Sequence, residues 1–537
     1  MMPRMFQSPD VRFVGGTLIL IFIVYLWPDL AFKSPYGMHQ WRQCDAFSMA
    51  VNYQEEGRAV LDPAMHFVHG LAEGKAVGEF TGTYWLNAQI WKVTGRLPWT
   101  IRWMHFALWL AGLIALYALG KRWVNPSASA WVAWMVMVSP LMAFYGPNYL
   151  VNASALGLVF IGWWFTWRFH ERRDKVFWFG GLLAFGLSFL FRPTMAIGLI
   201  PLILFVLFRR SHWRMWVLAI FPVVVATLWV FWSQRVNDLV GSVYYCTTIR
   251  PIWDAENASE IWSAFQSALL PEWYHHHVRW IFVLMACFWA GKSMIKWSIH
   301  QVCKRMFHGE IAWLGWSNVA MLSALFGYVL LWFSNLDVHD YYLIEFQLVV
   351  PLFLWWMLIG FQDFTGKGLW QKRLGVGILV LVLSFQTLDA RVRTRMKYVA
   401  PSGWLSEQLI PAWERDLWGW FHWDYQNRLA PLEKITPHLR SLGIGRESRV
   451  ISVPDPSPNI TLSMMDVHGF TDLYDDDLSG EDRIAHYVEK GASFLVCNDP
   501  AWLLELDSSL WLTAPMQSFE HVQIFDLKAS EAMRNRE

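Results

Sequence analysis

Stretches of about twenty apolar residues recur along most of this chain, and they restrict its fold more than any other feature. The first, "VGGTLILIFIVYLWPDLAF" (14–32), is followed by others near 102–120, 127–146, 149–167, 176–191, 193–208, 213–232, 279–293, 311–333, 341–361 and 373–388. As helices, segments of this length can cross the roughly 30 Å hydrocarbon core of a bilayer. The pattern predicts a polytopic α-helical membrane protein with about 11 spans. Composition agrees: the chain is 55% hydrophobic and 16% charged, with 37 Trp and 37 Phe, and aromatic residues of this kind collect at membrane–water interfaces. Arg4 and Arg12 precede the first run, but no small-residue cleavage site follows it, so it reads as a retained anchor and not a removed signal.

Charge placement predicts the orientation. If the N-terminus is inside, the inward loops carry Lys121 and Arg122, "RFHERRDK" (168–175), "RRSHWR" (209–214), the segment Lys292 to Arg305, and Lys367 to Arg373. The opposite short connections, "GPN" (146–148), Arg192-Pro193 and "SNLDVHD" (334–340), contain a single basic residue, Arg192. Basic residues favour the cytoplasmic side. Residues 33–101 and 233–278, together with the tail, are thereby expected outside. Within the first of these, "YWLNAQIWKVTG" (84–95) is too short and polar to span and reads as an interfacial helix.

The tail differs in kind. "VISVPDPSPNITLSMM" (450–465), "ASFLVCNDPAWLLEL" (492–506) and "HVQIFDL" (521–527) are strand-like runs separated by turn residues,. With the preceding helical stretch "GWLSEQLIPAW" (403–413) they predict a soluble, non-cytoplasmic α/β domain over 390–537, after a membrane domain over 1–389 whose outer loops are 33–101, 233–278 and 334–340. "NIT" (459–461) matches a glycosylation sequon by pattern alone. "DLYDDDLSGED" (472–482) lacks the spacing of an EF-hand loop and reads as a solvated acidic turn,. The five cysteines show no paired or metal-ligand spacing, although a Cys44–Cys246 bridge is open,. The formal net charge of +1, with no basic tract interleaved with aromatics, gives no basis for a nucleic-acid partner,.

The sharpest polar feature is "GMHQWRQCDAFSMAVNYQEEG" (37–57), directly after the first apolar run. Read as a helix over 38–56, it puts His39 and Arg42 on one face and aligns Arg42, Asp45, Asn52 and Glu56 in a stripe. A solvated amphipathic helix would account for this. Yet ionisable groups beside a bilayer are costly and often functional, and a lipid-linked anionic substrate would arrive at that level. Asp45 could take a proton from an attacking hydroxyl. Arg42 could hold a donor phosphate, and His39 could do either or orient Asp45. Gln43 adds a further polar group.

A second polar group lies in "FSNLDVHDYYLIEFQLVVP" (333–351), with Asp337, His339, Asp340, Tyr341 and Tyr342 in the turn. It reads either as an aromatic belt with capping aspartates or as part of a binding site. A divalent metal is an open option there, with Asp45 and Asp340 among its ligands. In "FLFRPTMAI" (189–197), Arg192 either snorkels to headgroups or clamps a phosphate. "HHH" (275–277) reads as an interface cluster, because three consecutive residues on a helix cannot all face one way,.

The stretch "HQWRQCDAFSMAVNYQEEG" resembles the first-loop signature of bacterial GT-C membrane glycosyltransferases related to protein O-mannosyltransferases and aminoarabinose transferases. The positions that match are His39, Trp41, Arg42, Gln43, Asp45 and Gly57. "HDYY" (339–342) and "FRPT" (191–194) resemble later motifs of the same family. The resemblance implies transfer of a sugar from a polyprenyl-phosphate donor to a cell-envelope glycan, lipid or protein, with inversion, at the outer face of a bacterial cytoplasmic membrane. It places the general base at Asp45. Donor-phosphate binding falls to Arg192, Arg42, His339, Tyr341 and Tyr342. The mannosyltransferase branch often has Asp-Glu where this chain has Asp45-Ala46, so the acceptor and any metal are left open. A flippase for a polyprenyl-linked glycan and an O-antigen-ligase-like transferase are the alternatives.

Overall fold

The computed structural model describes residues 8–528 except 69–73, 210–212, 243–244, 246–248, 297–309, 338, 365–368, 474–477, 479 and 505–515. The expected bridge partner Cys246, together with Cys303 and much of the acidic run, therefore lies outside the described residues, and so do parts of three of the loops expected to face inward. Cys44 is a buried free thiol.

Five described helices are long and apolar enough to cross a bilayer: Thr100–Gly120, Trp213–Val240, Ala312–Leu331, Asp340–Gly360 and Arg373–Met396. Shorter apolar helices accompany them at Lys175–Phe191, Pro193–Phe208 and His276–Phe288. The protein is thus a polytopic α-helical membrane protein. Several of the remaining expected spans are interrupted, for local reasons. The first helix, Pro9–Val24, ends before Pro28, well short of residue 32. The run at 127–146 breaks into Pro126–Met137 and Pro140–Tyr145, because Pro140 has no N–H for the preceding turn. Asn152–Arg172 is long but mostly buried.

The chain divides into two compact units. The first, comprising Met1–Phe32, Arg102–Phe231 and Thr247–Arg395, is helical. One close crossing in it is glycine on glycine: a Cβ on Gly112 would stand 2.3 Å from the Cα of Gly157. Small residues at such a crossing let two backbones approach where water-driven association is absent.

The second unit joins Lys33–Ile101, Trp232–Cys246 and Met396–Glu537. Its centre is a five-stranded sheet made of β1 (Arg449–Val453), β2 (His468–Phe470), β3 (Phe494–Cys497), β4 (Gln517–Phe519) and β5 (Val522–Asp526). The strand order is β2-β1-β3-β5-β4. β1 runs parallel to β2 and β3, whereas β5 is antiparallel to β3 and β4. Alternation along each strand feeds two cores: Ile451, Val453, Leu495 and Phe525 pack on one face, and Val450, Val496, Val522 and Ile524 on the other. The run read as one strand at 450–465 is only partly extended. After the prolines that follow β1 it becomes the helix Ile460–Met465. Asn459 of the sequon is fully buried and donates to Ser48 Oγ at 2.7 Å, a setting with no room for a glycan.

Sequence periodicity did not foresee that the first loop belongs to this unit. Phe67 bridges to Gly469 in parallel fashion, with Val68 N–H donating to the Gly469 carbonyl at 2.7 Å and Gly469 N–H to that of His66 at 3.0 Å. The helix expected at 84–95 is present as Gly82–Thr94.

Candidate active site

The opening polar stretch folds as the helix Gln40–Glu55. His39 is its N-cap in the left-handed region, φ 50°, so it does not share a helical face with Arg42 as expected. Gln43 donates from Nε2 to the carbonyls of Tyr36 (2.8 Å) and Met38 (3.0 Å), which folds the preceding turn onto the helix.

The predicted stripe divides along its length. At the start of the helix, Arg42 faces two carboxylates. Its Nη2 lies 2.6 Å from Glu79 Oε2 and its Nη1 3.7 Å from Asp45 Oδ2. Asp45 is 1% exposed and accepts a 3.3 Å hydrogen bond from the Tyr245 hydroxyl. The Arg42 guanidinium lies 4.6 Å from the centroid of that tyrosine's ring, within range of a cation–π attraction. Tyr84 donates to Glu79 Oε1 at 3.3 Å. Burial raises the Glu79 carboxyl, but the charge and hydrogen bond of Arg42 outweigh it and hold the group below its ordinary value,. Burial also pushes the Tyr245 hydroxyl well above its ordinary value, opposed by Arg42 and reinforced by Asp45. That phenol is therefore a hydrogen-bond donor and not an anion. At the far end of the stripe, Asn52 and Glu56 instead meet Arg446, with Glu56 Oε1 at 3.2 Å. These two residues tie the helix to the tail.

On the other side of the same helix, Cys44 contributes to a cleft of about 690 Å³ lined also by Tyr36, Arg96, Tyr398, Tyr425 and Glu433. All of these groups belong to the second unit.

In the helical unit, Arg192 is not the isolated cation that its surroundings suggested. It donates from Nε to Glu345 Oε1 at 2.5 Å and from Nη2 to Oε2 at 3.1 Å, a bidentate pair with a fully buried carboxylate,. Nη2 also donates to the Tyr341 carbonyl at 3.3 Å, and Thr194 donates to Glu345. The rings of Tyr342 and Tyr341 flank the guanidinium at 5.2 and 5.7 Å. His339 stacks on Tyr341 with centroids 5.3 Å apart. The structure thus gathers Arg192, His339, Tyr341 and Tyr342. Asp340 is buried and accepts from Tyr145, and Asp337 stands in the turn before His339. Asp45 and Asp340 join no cluster of three metal-ligating side chains among the described residues; the one such cluster is His275, His276 and His277.

Sequence reasoning passed over Glu79, Tyr84, Tyr245 and Glu345. Glu345 had a usable signal, since it is an ionisable residue inside an apolar run,. Glu79 and Tyr245 had none, being brought to Arg42 only by the folding of separate loops.

The family model described as "Dolichyl-phosphate-mannose-protein mannosyltransferase" matches residues 81–233. In fold, the chain is similar to ArnT from Cupriavidus metallidurans bound to undecaprenyl phosphate, with a TM-score of 0.54, 12% identity, and coverage of 96% of this chain and 98% of that one. The apo state of the same protein gives a TM-score of 0.51, 12% identity, and coverage of 97% and 98%. The chain has the fold of the GT-C membrane glycosyltransferases. No curated protein matches it in sequence. Within this GT-C fold, the helix carrying Arg42 and Asp45 is the second of the chain, following the first apolar helix.

Proposed function

We propose that the protein is an integral-membrane glycosyltransferase that moves a sugar from a polyprenyl-phosphate donor to a cell-envelope glycan, lipid or protein. The observation that carries the reading is the cluster of half-buried Arg42 and Glu79 with buried Asp45, set at the head of the first loop of a fold shared over nearly its whole length with a protein solved with undecaprenyl phosphate. In the proposed reaction, the acceptor hydroxyl oxygen bonds to the anomeric carbon as the carbon–phosphate oxygen bond breaks. The electron pair leaves with the phosphate and the proton passes to Asp45, with inversion at carbon. Arg42 is assigned to the charge developing on the leaving phosphate, and Tyr245 to fixing Asp45. Arg192, with His339, Tyr341 and Tyr342, is assigned to the donor phosphate. Because Glu345 already offsets its charge, Arg192 acts through directed hydrogen bonds more than through net charge. His39, Gln43, Asp337 and Asp340 are assigned to supporting these groups. The tyrosine-lined cleft beside Cys44 suits an acceptor, since sugar rings stack on aromatic faces.

The wider reading places the spans in the cytoplasmic membrane of a bacterium, with the N-terminus inside and the 390–537 region outside. The charge asymmetry of the loops supports it. The test is reconstitution in vesicles with labelled polyprenyl-phosphate sugar enclosed on one side and an envelope acceptor supplied on each side in turn. Appearance of label on acceptor is the expected result. Movement of intact labelled lipid between leaflets without any transfer would establish the flippase alternative instead.

A further inference from the structure

We propose that His275, His276 and His277 form a binding site for a zinc-class transition-metal ion at the start of the helix His276–Lys296. The inference is independent of the transferase reading. Consecutive residues within a helix point about 100° apart, and on that ground the three were not expected to converge. They converge because His275 is not helical. The preceding short helix Leu270–Trp273 stops at Tyr274, which is extended (φ −152°, ψ 146°), and His275 lies between the two helices. Its ring folds back over the first turn, so the three ring centroids stand 3.9 to 4.9 Å apart and one nitrogen from each lies within 4.8 Å of the others.

The separation of two of these nitrogens is the quantitative part. His275 Nδ1 and His277 Nδ1 are 3.2 Å apart. Zinc–nitrogen bonds run about 2.0–2.1 Å, so two ligands on a tetrahedral ion stand roughly 3.3 Å from each other. The spacing suits two imidazoles that share a proton or a metal ion; without an ion, His275 Nδ1 also accepts from the His277 backbone N–H at 3.3 Å, a contact that a bound ion would replace. His275 is held in place: it is 6% exposed, its ring meets the Phe385 ring edge-on at 4.8 Å, and its backbone N–H donates to Gln386 Oε1 at 3.4 Å. His276 and His277 are exposed, which gives an ion access.

Nearby charge does not forbid a cation. Arg279 and Arg393 oppose it, but Arg393 is paired with Glu272 and Asp389, each at 3.3 Å, which offsets its charge. An all-imidazole set suits zinc, copper or nickel, whereas magnesium and calcium prefer oxygen ligands. Three protein ligands leave a position for water.

The test uses full-length protein purified without a polyhistidine tag, stripped with chelator, exposed to Zn²⁺ and desalted. Elemental analysis is expected to find about one zinc per chain. H276A/H277A, which changes only exposed side chains, is expected to lose it while its metal-free melting temperature stays at the wild-type value. Excess Mg²⁺ is expected not to displace the zinc. Failure of the wild type to retain zinc, or equal retention by H276A/H277A, would overturn the proposal.

Discussion

Asp45→Asn is the substitution that most directly tests the chemistry, and the structure indicates why it should be clean. In the native cluster one positive charge, Arg42, faces two carboxylates, with Glu79 at 2.6 Å and Asp45 at 3.7 Å. Removing the Asp45 charge leaves Arg42 and Glu79 as a one-to-one pair at the shorter distance, so no buried charge loses its partner. Asparagine keeps the shape of the side chain and an oxygen able to accept from Tyr245, now 3.3 Å from Asp45 Oδ2. The fold should survive, therefore, while the proposed proton acceptor is lost. A positioned general base contributes about 10²–10⁴ in rate, or roughly 3–5.5 kcal/mol of barrier. Single-turnover transfer from a defined polyprenyl-phosphate sugar should fall by that factor, with donor affinity and melting temperature near wild type. Transfer within threefold of wild type by a folded variant would refute the assignment of Asp45 as base. Lost transfer accompanied by a collapsed melting temperature would show instead that its role is structural.

Three further outcomes follow from the packing. Glu345→Gln leaves the buried Arg192 guanidinium without its counter-charge and should destabilise the helical unit by about 3–5 kcal/mol; an unchanged unfolding midpoint would contradict the pairing. Gly112→Leu forces a side chain into the 2.3 Å approach to Gly157 and should abolish a stable folded population, as read by monodispersity in detergent, while Gly186→Leu, which meets nothing within 4 Å, should not. Burial lowers His66 from 6.5 to about 4, so between those values the unfolded chain binds the extra proton and the folded one does not. Stability is then complete above pH 6.5 and falls by about 3 kcal/mol as pH drops towards 4; His66→Gln should flatten that slope, and a wild-type profile already flat across the window would rule the effect out.

Helical membrane character was legible because bilayer thickness imposes a length on every apolar run. The interruptions at Pro28 and Pro140 were also readable in principle, since proline cannot continue a hydrogen-bonded turn. Residues 38–56 were read as helical, and Gln40–Glu55 is a helix. The cap geometry that removes His39 from its face depends on a single backbone angle, which periodicity does not encode. What stayed hidden is contact between remote segments. Phe67 pairing with Gly469, Tyr245 reaching Asp45 and Arg446 holding Glu56 each join loops whose local sequences carry no sign of the partner. The histidine run shows the same limit at short range: its face could be judged only once the break at Tyr274 was known.

Both arginines singled out as phosphate clamps turn out to be paired with a buried or half-buried glutamate, Arg42 with Glu79 and Arg192 with Glu345. The physical reason is the cost of an uncompensated cation away from water, several kcal/mol even after relaxation. A site that must stay folded with no donor bound needs such a counter-charge. If Arg192 binds the donor phosphate as proposed, that phosphate meets a nearly neutral pair, since Glu345 offsets the guanidinium one to one. Its binding energy then comes from oriented N–H groups, which weaken less with added salt than attraction to a bare charge does. Lysine, a point charge without the planar fork, should therefore fail to replace Arg192: R192K keeps the sign of the charge, yet is expected to raise the donor KM at least tenfold, and a KM equal to that of wild type would mean that net charge, not geometry, binds the phosphate.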